Sequence, residues 1–270
     1  MIRLLLGLVI IVLIGAAIVQ FFKPPKPTYF DTRPDTTTPS STPIQSGSTP
    51  SATVYPTITK APTPTSSATV PTYKSKVLIA GVPFTPQAPF AEWSDARFQE
   101  GCEEASSLMA IYWTKNITSI DRNKAKQEIV AMAAYQQEKW GEARDTSAHD
   151  TATRLIAGYF SFTNYEIKED INIQDIKDEL LKGNVIIVPT NGRALNNPHF
   201  TAPGPDRHMI VIRGYDDNTG SFITNDPGIR EGELYTYPQQ VMFNAIRDYP
   251  TGFNLPIVGD KKIMIVIKKS

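Results

Sequence analysis

The chain has 270 residues and balances 27 basic against 27 acidic side chains, which leaves no electrostatic footprint for nucleic acid and no basic helix for anionic lipid. Its single cysteine, Cys102, excludes an intramolecular disulfide. Stability has to come from a core, and the thiol calls for another explanation.

In chain order, residues 4–19 form an unbroken apolar run without charge, extended by Gln20, Phe21 and Phe22. A hydrocarbon core needs roughly 20 apolar residues of helix, so residues 1–23 are expected to be a transmembrane anchor. The alternative is a secretory signal cut after Gly15-Ala16-Ala17. Either way the rest of the chain is expected outside the cytoplasm, on the membrane or secreted. Residues 24–75 are rich in Pro, Thr and Ser with few aliphatic residues, the composition of a disordered linker or stalk. The folded domain is expected over residues 76–270, which hold all three tryptophans and all three histidines.

Within that domain helices are expected first and strands later, an α+β order with helices packed on an antiparallel sheet. Apolar steps of three and four residues (Ala105, Leu108, Met109, Ile111, Tyr112) predict a helix over 102–114 with one broad buried face. Further helices are expected over 122–137, 148–157 and 173–182, the last stopped by Gly183-Asn184. Short runs rich in branched residues predict strands over 185–188, 208–213, 221–224 and 263–267, with 214–220 as a hairpin loop.

Cys102 opens the first of these helices. A thiol there feels the helix dipole and unsatisfied N–H groups, both of which favour thiolate. His208 opens one strand and Asp226 closes its antiparallel neighbour, so the two fall at the same end of a hairpin. There Asp226 can orient the imidazole while its other nitrogen faces the cysteine. Asn225 competes with Asp226, because adjacent strand residues point to opposite faces. Taken singly, the cysteine reads as a small core hydrophobe and the histidine as a packed strand residue. Together they follow the order and topology that papain-like thiol enzymes use.

Four segments resemble the peptidase family thirty-nine-like domains, relatives of the bacteriocin-processing cysteine peptidases in the papain superfamily. Val82-Pro83-Phe84-Thr85-Pro86-Gln87 looks like the family's opening strand and glutamine, and Gly101-Cys102-Glu103 like its nucleophile motif. Residues 208–216 look like the histidine strand and 222–228 like the acid turn. The resemblance implies a papain-like fold and a peptide or protein substrate. It implies Cys102 as nucleophile, His208 as general base and acid, Asp226 as orienting group and Gln87 as oxyanion donor. Gln99 lies nearer to Cys102 in sequence and stays open as the alternative donor. Glu103-Glu104 follows the cysteine where bacteriocin-processing members commonly carry Gly-Pro, which resembles the stand-alone extracytoplasmic branch.

No cofactor or metal is expected, since His149 has no matching ligand spacing and His199 sits in the Pro-rich loop 196–205, which is expected to border the substrate cleft. Two other readings stay open. A cell-wall peptide amidase would use the same thiolate chemistry, although such enzymes usually hold a shorter interval than the 106 residues from Cys102 to His208. A catalytically silent surface domain would need no activated thiol.

Overall fold

The computed structural model describes residues 74–269, so the anchor expected at 1–23 and all but the last two residues of the stalk expected at 24–75 lie outside the described residues. Among the described residues no helix is long and apolar enough to cross a membrane.

Strand β1 (Lys76–Leu78) and a single helical turn α1 (Ala96–Gln99) precede the central helix α2 (Cys102–Thr114). All of α2 but its last residue is buried, not the single face that its periodicity predicts. Three sets of neighbours account for this. Ala105 packs with Phe98, Ala88 and Ile129, while Leu108 and Tyr112 pack with Met132 and Leu155. Met109, Ala110, Ile111 and Trp113 join the core of the sheet. A helix enclosed on all sides has no wet face to betray itself in the sequence.

Helix α3 (Arg122–Trp140) is capped by Asp121, whose carboxylate accepts from the Lys124 N–H, and ends at Gly141 in the left-handed region. Helix α4 begins as an α-helical turn (Ala148–Asp150) under Ser147 and widens into a π-helix (Thr151–Tyr159). Strand β2 (Tyr165–Glu169) and helix α5 (Ile173–Leu181) follow, the latter opened by a capping box between Asn172 and Asp175. The remaining elements are β3 (Val185–Thr190), a 3-10 turn (Gly192–Leu195), β4 (His208–Asp216), β5 (Ser221–Asn225), β6 (Tyr235–Pro238), α5's successor α6 (Gln239–Ala245) and β7 (Ile263–Ile267).

The strands form one antiparallel sheet in the order β2-β7-β3-β4-β5-β6, and β1 pairs with β4. The fold is thus α+β, with β3, β4 and β7 buried along their whole lengths. Strand β4 runs three residues further than the sequence predicts, because β1 and β5 both pair with its residues Gly214, Tyr215 and Asp216. Gly214 permits this approach, since a Cβ there would stand 2.4 Å from Val77 O.

The register of β4 on β5 slips between Ile212 and Gly214, leaving Arg213 at the irregularity. Its guanidinium, buried, donates to Ile79 O, to Val82 O and to Asn225 Oδ1, and Asn225 Nδ2 donates to Pro83 O. Residues 82–87 are therefore held in place by side chains. They do not form the opening strand that the sequence predicts; Pro83 and Pro86 remove ladder donors, and the strand lies upstream at β1.

Replacing Arg213 by Met would leave those buried carbonyls without a donor. Arg213→Met is expected to cost about 3 kcal/mol, at roughly 1–3 kcal/mol per orphaned group with partial relaxation, measured by denaturant unfolding.

Candidate active site

Cys102 and Ser106 stand one turn apart on the same face of α2, and both engage Met209 of β4. The Ser106 hydroxyl donates to Met209 O at 3.1 Å across 103 residues of sequence, and the Met209 backbone N–H faces the Cys102 sulfur and favours its thiolate. This contact sets the opening of the helix against the opening of the strand. His208 precedes Met209, and its own backbone oxygen accepts from the Thr190 hydroxyl on β3.

The His208 ring is buried. Its Nε2 donates to Asp226 Oδ1 at 2.7 Å, which leaves Nδ1 as the other proton-carrying position, and Phe200 packs edge-on at 5.4 Å between centroids. Asp226 lies immediately after β5. The Gly228 N–H donates to its Oδ1 at 2.9 Å and the Tyr237 hydroxyl to its Oδ2 at 2.5 Å, while Tyr237 in turn accepts from Asn197 Nδ2 at 2.6 Å. Burial pushes the Asp226 carboxyl up, but the facing His208 and the Tyr237 and Gly228 donors outweigh it and hold it below the usual carboxylate range. Asn225 points the other way, to Arg213, Pro83 O and the Leu234 N–H.

Gln87 is buried and Gln99 exposed. Gln87 Nε2 donates to the backbone oxygens of Phe98 and Gln99, at 3.0 and 2.9 Å, which ties the residue to the end of α1 just ahead of Cys102. Cys102, His208, Gln87 and Gln99 line one cavity of about 770 Å³, of a size that accepts a small ligand or several residues of a peptide. Loop 196–205 borders it through His199, Phe200, Thr201, Gly204 and Pro205.

The electrostatics of the thiol depart from what a helix start leads one to expect. Burial pushes the Cys102 thiol well up from its ordinary value, and the carboxylates of Glu103 and Asp145 push it further; the Met209 N–H opposes them. The thiol donates to Glu103 Oε2 at 3.1 Å, and Glu103 Oε1 accepts from the Tyr249 hydroxyl at 2.7 Å and from the Thr146 N–H at 3.3 Å. Dipole and free N–H groups thus lose to desolvation and a neighbouring acid. Burial also pushes Glu103, Glu104 and Asp145 each up to about 8, reinforced by their mutual repulsion and, for Glu104 and Asp145, by Glu100.

The sequence marks Cys102, His208, Asp226 and Gln87, and the structure gathers all four around one end of α2. It misses Tyr237, Asn197, Tyr249 and Asp145, whose roles exist only through contacts between distant segments. For Glu103 a signal was present, namely two acids at the head of an otherwise apolar helix. His149 lies apart, exposed and hydrogen-bonded to Glu169 at 2.6 Å. Among the described residues no group of three or more His, Cys, Asp or Glu side chains is arranged to hold a metal ion.

Residues 79–250 match the model of the Peptidase_C39 like family. Among solved structures, the chain is similar to one described as a C39-like peptidase from Bacillus anthracis, at 16% identity and a TM-score of 0.45, covering 72% of this chain and 98% of that one. It is also similar to xylellain, a cysteine protease from Xylella fastidiosa, at 12% identity and a TM-score of 0.32, covering 73% and 87% respectively. No curated protein matches.

Two measurements check this site. A Cβ at Gly228 would stand 2.8 Å from His208 Cε1, so Gly228→Ala should displace the ring and shift its Cε1–H NMR signal while the chain stays folded. The folded state also holds protons on Glu103, Glu104 and Asp145 up to about pH 8 that an unfolded chain releases near pH 4.5 for the two glutamates and 3.8 for the aspartate. Their stabilising contribution is complete below those lower values and is lost as pH rises through 8. Unfolding free energy should therefore fall between pH 5 and 8, by about 1.4 kcal/mol per pH unit for each proton retained, as measured by urea titration.

Proposed function

The chain belongs to the Peptidase_C39 like family, and from that premise we propose that it is a cysteine peptidase hydrolysing peptide bonds through Cys102, His208 and Asp226. The observation that carries this reading is the buried His208 Nε2–Asp226 Oδ1 contact at the cavity that Cys102 also lines. Asp226 fixes the tautomer, so His208 Nδ1 is the nitrogen left to take the thiol proton. The thiolate attacks the scissile carbonyl carbon, forming a C–S bond and an oxyanion. The Cys102 N–H, in the first turn of α2 and without an intrahelical acceptor, is one donor to that oxyanion. Gln87 is the other. Its two acceptors are successive carbonyls at one helix end, so a single N–H can serve both in a bifurcated bond and leave the second proton for the oxyanion. His208 then protonates the leaving amine, and water hydrolyses the thioester.

The substrate is a peptide or protein, and a cell-wall peptide is the alternative amide. The apolar run at residues 4–19 and the Pro/Thr/Ser-rich segment after it support action outside the cytoplasm, on a membrane tether or in secreted form.

A peptide library read by mass spectrometry, with cell-wall peptides as a separate arm, tests the assignment. Cys102→Ala and His208→Ala are expected to lower kcat at least about 10³-fold, and Asp226→Asn about 10²-fold or more, without loss of fold. Turnover that survives Cys102→Ala would falsify the nucleophile, and no turnover of any amide by a folded wild-type chain would leave a binding domain.

A further inference from the structure

The carboxyl group next to the nucleophile has no part in the chemistry above, yet it makes the closest polar side-chain contact to it. Cys102 donates to Glu103 Oε2 at 3.1 Å, while Tyr249 and the Thr146 N–H fix the other oxygen. Glu103 is 1% exposed and Cys102 3%, so water screens neither. The side chain cannot swing away without breaking two further bonds to segments far off in sequence.

We propose that Glu103 is a positioning residue whose ionised carboxylate holds Cys102 as a neutral thiol, and that Cys102 becomes a thiolate only when Glu103 carries a proton. The inference rests on the reading of Cys102 as nucleophile. Once Glu103 has ionised, the proton stays on sulfur, because transferring it to His208 would leave two anions about 3 Å apart in a dry site, a repulsion that disfavours the transfer. With Glu103 protonated, the S–H proton moves to His208 Nδ1, the imidazolium faces Asp226, and the Glu103 O–H turns to donate to the thiolate. No other reactant is consumed.

The groups around Glu103 all bear on this equilibrium. Glu104 on the same helix is buried and accepts from Gln136 Nε2 on α3 at 2.8 Å. Asp145 and Glu100 add negative charge, partly offset by Arg144 and by Arg207, whose Nε lies 3.6 Å from Asp145 Oδ2. Tyr249 remains neutral, its hydroxyl pushed far up by burial and by Glu103. Excess negative charge in a buried cluster favours proton uptake, so the device places reactivity on the acid side of the Glu103 titration and closes the site as pH rises. Its carboxyl, pushed up to about 8 by burial and by Glu104, puts that limb within reach of ordinary buffers.

Glu103→Gln mimics the protonated carboxyl permanently and keeps both an acceptor for Tyr249 and a donor for sulfur. Because Cys102 is the only cysteine in the chain, iodoacetamide labelling of the full-length protein reports it alone. The expected result is that wild-type labelling falls as pH rises through about 8, where Glu103 ionises, and that Glu103→Gln removes this fall and raises the rate at pH 9 roughly tenfold. Tyr249→Phe removes one donor that stabilises the ionised Glu103, so the fall should move to higher pH. It also serves as the test if Glu103→Gln does not fold. A profile unchanged in the folded variants overturns the proposal. The readout uses no peptide, so a changed profile without turnover would sink the peptidase assignment alone, and turnover with an unchanged profile would sink the latch alone.

Discussion

The enclosure of α2 is the constraint on which everything else depends. A helix buried from Cys102 to Trp113 needs partners on every side, and α1, α3, α4 and the sheet supply them. The partner that matters chemically is β4, met through the Ser106–Met209 hydrogen bond at the point where both elements begin. Each enclosed Leu, Ile or Met contributes roughly 1.5–3 kcal/mol relative to exposure, so sliding the helix by one turn would forfeit several such terms and separate Cys102 from His208 as well. Packing and the placement of Cys102 against His208 share one register.

The same enclosure creates the tension at Cys102. A helix start favours an anion in the open, because its N–H groups and dipole are unmatched. Sealing that start under Thr146 and Tyr249 removes water and leaves Glu103 and Asp145 bearing on the sulfur, which reverses the preference. At Asp226 the balance falls the other way: equal burial is overcome by a facing imidazole and two further directed donors. Two buried acidic groups around one cavity are therefore held in opposite states, Cys102 protonated and Asp226 ionised. Pushing titrating groups apart in this manner is how one site holds an acid and a base at a single pH.

A second theme is that irregular segments carry the walls of the site. Residues 82–87 have no strand partner and are pinned by Arg213, Asn225 and the Gln87 N–H to Pro227 O. Loop 196–205 is tied to the His208 pair by Asn197 through Tyr237. Both walls thus hang on polar contacts to β4, β5 and β6, which keeps their placement coupled to that of His208 and Asp226.

The sequence by itself determined the helix opened by Cys102, the strand opened by His208, the turn at Asp226 and the α+β order, because periodicity, capping and turn chemistry act over a few residues and leave local marks. It also marked Gln87 and the loop at the cleft. It could not separate Asn225 from Asp226, since that depends on which face of β5 meets His208, and the register slip at Arg213 is invisible in composition. Nor did it reveal β1, β2 or β6, short segments whose strand state comes from their neighbours, not their own residues. Above all, only the tertiary structure decided the state of the thiol. Proton affinity in a buried site is set by desolvation and by charges from segments 142–147, 207 and 249, and no local pattern around Cys102 encodes their arrival.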